Sequence, residues 1–109
     1  MRRWLCLVAL AGCTIPRSEF VGEKADALCA LERRCAVGAF YEEYTGMEQC
    51  LTRAAVDVED EIAGTDVCAY RPAEAARCVS RLRSLPCADF ARDELEEPCD
   101  LVFDCGFAQ

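Results

Sequence analysis

Ten cysteines and no histidine stand in a chain of 109 residues, and together they bound its chemistry. A thiol can bond to another thiol, bind a metal, attack carbon or carry a lipid. Without histidine neither a Ser-His-Asp nor a Cys-His arrangement can be assembled, and zinc sites built on imidazole are excluded. Eight of the cysteines, Cys29, Cys35, Cys50, Cys68, Cys78, Cys87, Cys99 and Cys105, are separated by 5, 14, 17, 9, 8, 11 and 5 residues. No Cys-x-x-Cys occurs, which removes the usual signatures of zinc ribbons and thioredoxin-like redox motifs. Iron–sulfur runs also need tighter spacing. Structural disulfides remain, and an even count permits full pairing. Cysteine makes up about 9% of the chain, in the range of disulfide scaffolds in short exported proteins.

The other reactive groups are carboxylates and phenols. Glu42 and Glu43 are adjacent, and general acid–base work would need them in a cleft with a shifted pKa. Asp57, Glu59, Asp60, Glu61 and Asp66 form an acidic run that reads either as a cation or basic-partner site or as a solvated helix face. Its spacing does not match an EF-hand loop. Phe40, Tyr41 and Tyr44 cluster near a turn and are the candidate partner contacts, since clustered aromatics can anchor a partner. The alternative is that they cap the core. No catalytic residue, cofactor or metal site is assigned. With 12 basic and 20 acidic residues the net charge is −8, and loss of Arg2 and Arg3 with a leader would bring it to about −10. A surface this acidic repels nucleic acid.

The N-terminus carries its own chemistry. Met1-Arg2-Arg3 is basic, the run from Leu5 to Ala11 is apolar, and small residues follow, in the order of a secretory signal. The run is far short of the roughly 20 apolar residues that span a bilayer. Leu10-Ala11-Gly12-Cys13 resembles the lipobox of bacterial lipoproteins. That resemblance implies a signal peptide over 1–12 and lipidation of Cys13 by palmitate-class acyl chains as the first mature residue. The alternative is ordinary cleavage near Gly12. Removing Cys6 and acylating Cys13 would leave the eight cysteines above. Thr14 stands where lipoproteins kept in the inner membrane often carry Asp, so the resemblance implies the outer membrane. Residues 13–17 then read as a linker, and Thr14 to Ser18 reach at most about 18 Å.

Residues 18–109 read as one disulfide-stabilised domain with no internal repeat or Gly/Ser linker. Ser18 is placed to cap a first helix to about Ala36, with Phe20, Val21, Leu28, Leu31 and Cys35 on one face. Lys24 and Glu32 intrude on that face. Val37-Gly38-Ala39 is expected to break the helix and Phe40 to Tyr44 to form a connection. Thr45-Gly46-Met47-Glu48 reads as a capping box. Met47, Cys50, Leu51, Ala54, Val58 and Ile62 follow at helical spacing, closed by Gly64. Pro72 fits the first position of a third helix with Ala75, Cys78, Val79 and Leu82 inward. A fourth helix is expected over Ala88 to Glu96, and Leu101, Val102 and Phe103 are expected to pack back. Strand alternation is nowhere sustained. The class is all-α, a small disulfide-stapled bundle of about four short helices.

Pairing is partly legible. Cys29 and Cys35 sit about 120° apart on one helix and should not bond. A hairpin would bring Cys35 to Cys50, and Cys87 and Cys99 bracket the fourth helix. The adjacent Cys-Cys of plant lipid-transfer scaffolds is missing, and Pro72 interrupts the one spacing that suits a twin Cys-x9-Cys hairpin. Arg34-Cys35, Glu48-Gln49-Cys50, Ala75-Ala76-Arg77-Cys78, the Leu82 to Cys87 stretch and Glu97-Pro98-Cys99 resemble small cysteine-rich lipoproteins of myxobacteria, a likeness that implies no activity. The expectation is a non-catalytic module of the bacterial envelope, for binding or structure, attached to a membrane by its lipid. The competing class is an envelope enzyme or thiol–disulfide protein using surface carboxylates or a cysteine. An open pocket lined by Glu42, Glu43 or the Asp57–Glu61 run, or a free thiol, would favour that class.

Overall fold

Pro16, in extended geometry at φ −61° and ψ 149°, turns the chain into the first helix, α1 (Arg17–Cys35). Its carbonyl accepts the Glu19 N–H at 2.9 Å, so Ser18 lies inside the first turn and is not the cap. The computed structural model describes residues 5–7, 12–90 and 99–106. Ahead of α1, β1 (Leu5–Leu7) pairs antiparallel with β2 (Gly12–Thr14), with Cys6 opposite Cys13. After it come α2 (Val37–Glu43), α3 (Met47–Glu61), a 3-10 turn (Thr65–Val67) and β3 (Ala69–Tyr70). The chain continues through α4 (Pro72–Arg83), α5 (Cys87–Phe90) and β4 (Phe103–Asp104). The fold is all-α in its substance, with the helices packed around α1 and two minimal strand pairs.

The break after α1 is one residue long. Ala36 leaves helical geometry at φ −142°, ψ 60°, and helix resumes at Val37. The expected turn at Val37-Gly38-Ala39 is therefore the first turn of α2, because the chain needs only Ala36 to change direction. At α3 the expected capping box is shifted by one residue. Gly46 is the N-cap and offers no side chain. Gln49, and not Glu48, reaches back, its Oε1 accepting from the Thr45 N–H at 2.7 Å and the Thr45 hydroxyl at 3.3 Å. Only the back-reaching half of the box survives, with an amide as acceptor, and no side chain caps the first-turn N–H groups of α3. Gly64, at φ +88°, supplies the left-handed residue that turns the chain out of α3.

α4 is the helix whose pattern translates most directly into burial. Pro72 occupies its start, and Ala75, Cys78, Val79 and Leu82 are all 0% exposed. With Phe20, Ala27 and Leu31 of α1, Val58 of α3, and Ile15, Leu85 and Val102 from the connections, they form the main core. A second, smaller cluster holds Cys29, Phe40 and Cys50, bordered by Tyr44, Met47, Leu51 and Ala54. α1 feeds both clusters, packing on α3 and α4. A helix covered on two sides needs no clean single stripe, which accounts for the mixed pattern noted in its sequence.

Beyond α4 the structure departs from expectation. α5 is described only to Phe90, and the rest of the predicted fourth helix, 91–98, lies outside the described residues. Val102 is 1% exposed and Phe103 half-buried, but Leu101 is 57% exposed and does not pack back. Leu101 lies in the turn that precedes β4, where Phe103 pairs with Tyr70 of β3. At its end Asp104 accepts from Arg71 at 2.6 Å and from the Gly106 N–H at 3.1 Å.

All eight cysteines from Cys29 onward are bridged, in the pairs Cys29–Cys50, Cys35–Cys87, Cys68–Cys105 and Cys78–Cys99. The expected Cys35–Cys50 pair does not form, and Cys87 and Cys99, which bracket the predicted fourth helix, bond elsewhere. α1 and α3 do run antiparallel, with Lys24 against Glu61 and Cys29 against Cys50. The seven residues of α2 carry the chain back along α1, so α3 begins beside Cys29, about 9 Å before Cys35 along the axis. Cys35 is left for Cys87 at the start of α5, and Cys99 turns inward to the buried Cys78. Cys29 and Cys35 do not bond to each other, as the helical angle requires.

Candidate functional site

α2 presents the predicted aromatic cluster in three different settings. Phe40 is 0% exposed and closes the smaller core, so it cannot meet a partner, which corrects its assignment as a contact. Its ring packs edge-on against Tyr41 at 4.9 Å and tilted against Tyr44 at 5.3 Å. Tyr41 is 54% exposed and stands one turn beyond Val37, itself 57% exposed. Tyr44 is half-buried at the end of α2, with the Arg53 guanidinium 5.9 Å from its ring centroid. Arg53 also lies 3.5 Å from Glu43.

Acid gathers around this edge. Loss of solvent pushes the Tyr44 phenol above its usual range, and Glu32, Glu43 and Asp57 push in the same direction against Arg53. Burial likewise raises the Glu32 carboxyl, with Glu43 adding to it. The edge therefore combines an exposed apolar step, Val37 and Tyr41, with a negative field focused on Tyr44. Such a surface suits a basic, partly apolar contact. Glu42 and Glu43 are exposed on the helix, as expected of solvated carboxylates.

The acidic run divides. Asp57, Glu59 and Asp60 are exposed on α3, and Asp66 pairs loosely with Arg17 at 3.6 Å. Glu61 instead turns toward α1 and binds the Lys24 ammonium at 2.8 Å. The Lys24 side chain is only 5% exposed. The pair lines a cleft of about 190 Å³ with Phe20, Thr65, Asp100 and Phe103. That is below the roughly 300–1,000 Å³ of ordinary small-molecule sites, and its carboxylate is engaged by the lysine. The signal for this pair is present in the sequence, as a lysine interrupting an apolar stripe while a neighbouring helix ends in acid. Among the described residues no group of three or more cysteine, aspartate or glutamate side chains is placed to hold a metal ion.

A second ionic link ties α1 to α4. Arg83 donates to Asp26 at 2.9 Å and to Glu23 at 3.1 Å, while its buried Nε has no partner. At the end of α1, Arg34 donates to the Leu85 carbonyl at 3.0 Å. The Arg34 Nη1 lies 3.5 Å from Cys87 Sγ.

The predicted linker is not slack. Cys13 is half-buried in β2 and disulfide-bonded in the chain as described. Ile15 is 0% exposed, its N–H donates to Pro72 O at 3.2 Å, and its carbonyl accepts the Tyr70 hydroxyl at 2.6 Å. Burial raises the Tyr70 phenol to about 12, with Arg17 opposing. Among the described residues no helix is long and apolar enough to cross a membrane. No family model, curated protein or solved structure matches this chain at a significant level.

Proposed function

We propose that this chain is an exported lipoprotein of the bacterial envelope, anchored through Cys13 and acting as a non-catalytic module that binds a partner at its α2 edge. The observation that carries the reading is the complete bridging of the eight cysteines from Cys29 to Cys105, a state that persists in oxidising compartments. The Leu10-Ala11-Gly12-Cys13 motif adds the mode of attachment, and Thr14 favours the outer membrane. Two or three acyl chains hold a protein stably where one binds only marginally. A sulfur carries either a lipid or a disulfide, so the reading requires that the Cys13 bond be absent when the lipid is added. Of the carboxylates named for an enzymatic reading, Glu61 alone lines the Lys24 cleft, and it is held by the Lys24 ammonium at 2.8 Å.

The mass of the protein recovered from bacterial membranes tests the anchor. Loss of residues 1–12, acyl mass on Cys13 and eight bridged cysteines are expected, with Cys13→Ser moving the protein to the soluble fraction. A mature protein keeping Cys13 in a disulfide would sink the reading. For the contact edge, Tyr41→Ala with Val37→Ser should remove capture of an envelope partner while leaving the fold intact.

A further inference from the structure

The four bridges differ in what surrounds their sulfurs. Cys29, Cys50 and Cys78 are at most 2% exposed, and Cys68 is 9% exposed. Cys87 is exposed and its partner Cys35 half-buried. Arg34 faces this bridge from the last turn of α1, with Nη1 3.5 Å from Cys87 Sγ. Its Nη2 donates to the carbonyls of Leu85 at 3.0 Å and Arg83 at 3.4 Å, which hold the guanidinium in place. A fixed cation beside a sulfur favours its thiolate, and a more stable thiolate leaves faster in disulfide exchange. No arginine or lysine hydrogen bond of this kind reaches a sulfur of the other three bridges among the described residues.

We propose that Cys35–Cys87 is a thiol-exchange site, opened by an external dithiol while the other three bridges stay closed. One thiolate of the dithiol bonds to Cys35 Sγ, and the electron pair of the broken S–S bond leaves on Cys87, as a thiolate against Arg34. The second thiol of the dithiol gives up its proton and attacks its own sulfur in the mixed disulfide. This expels the Cys35 thiolate, which takes up a proton. The dithiol is oxidised to its disulfide, and the bridge is reduced to two cysteines. Opening frees the start of α5 from the end of α1. Leu85, only 8% exposed, and its bond from Arg34 keep the preceding connection docked, so the change stays local. The site depends on the surroundings of this bridge and is independent of lipidation at Cys13.

The oxidised full chain is exposed to dithiothreitol without denaturant, quenched at intervals with an alkylating agent and mapped by peptide mass. Cys35 and Cys87 should be alkylated at least about tenfold faster than the other six bridged cysteines, as a local opening requires. Simultaneous labelling of all eight, or earlier labelling of another pair, overturns the proposal. Arg34→Gln should slow opening by about three- to tenfold through the poorer leaving thiolate, with Arg34→Lys restoring most of the rate. An unchanged rate in Arg34→Gln, in a chain that keeps its helical circular dichroism, also overturns it. Should that variant lose its fold, the labelling order of the native chain and the rate of Arg34→Lys decide the matter.

Discussion

The main core and the smaller cluster at the α2 end are held by different means. Around α4, burial is carried by apolar side chains from six segments, and Cys78 is one contributor among many. At the other end, Cys29 and Cys50 are two of the three fully enclosed residues, and Phe40 is the third. One region would remain a hydrophobic core without its disulfide, while the other is a disulfide with one aromatic ring closed over it. A short chain that cannot enclose a large core everywhere can thus order its periphery covalently.

Reduction tests that contrast most severely. Closing loops of 21, 52, 37 and 21 residues is worth about 3–4 kcal/mol per bridge in the chain-entropy model. Cleaving all of them should abolish helical circular dichroism at 37 °C, and a fully reduced chain that stayed folded would show the main core to be sufficient alone. Next in size, Leu82→Ala should lower global stability by about 2–5 kcal/mol, read from the denaturant midpoint. Phe40→Ala removes a larger side chain but should cost less than Leu82→Ala. The reason is that α2 can open locally while α1, α3 and α4 stay packed, and fast amide exchange confined to Val37–Glu43 would reveal it. A Phe40→Ala loss matching Leu82→Ala would merge the two regions into one cooperative unit.

Smaller effects sharpen the boundary between them. Glu61→Gln leaves Lys24 charged and enclosed without its anion, and should cost about 1–2 kcal/mol because Glu61 is itself partly solvated. Lys24→Met should be close to neutral, within about 1 kcal/mol, since an apolar chain of similar volume escapes the desolvation cost. An effect confined to alkaline pH concerns Tyr70, whose phenol is raised to about 12 by burial. Above pH 10 the unfolded chain loses that proton while the folded chain keeps it, so stability falls as pH rises from about 10 to 12. Phenolate absorbance should show Tyr70 ionising late, and an ionisation near pH 10 would place its ring in solvent.

Much of the fold was legible because local rules and burial agreed. In α4 the proline, the apolar spacing and the observed core coincide at every position named. In α3 the stripe from Met47 to Ile62 is half-buried or buried throughout, while the cap shifted from Thr45 to Gly46 and the back-reaching acceptor from Glu48 to Gln49. α2 was missed because Gly38 and a run of aromatics look like a connection until Phe40 has a cluster to fill. That single omission displaced the disulfide pairing, since pairing depends on how far the chain travels between helices. Lys24 was visible as an anomaly, but its meaning needed the position of Glu61 on another helix. The aromatic cluster was half legible. Spacing put Tyr41 and Tyr44 beside Phe40 but not on a helix and its end, and nothing local distinguishes an enclosed Phe40 from an exposed one.

Ile15 gives the attachment point a mechanical meaning. Its side chain is inserted in the core and both of its main-chain groups are clasped, by Pro72 and by the Tyr70 hydroxyl. If the acyl chains sit on Cys13, only Thr14 separates them from this clasp. The body would then ride on the lipid surface in one pose, like a bracket screwed flush to a wall. Which flank points outward would be decided by the polypeptide and not by thermal swivelling.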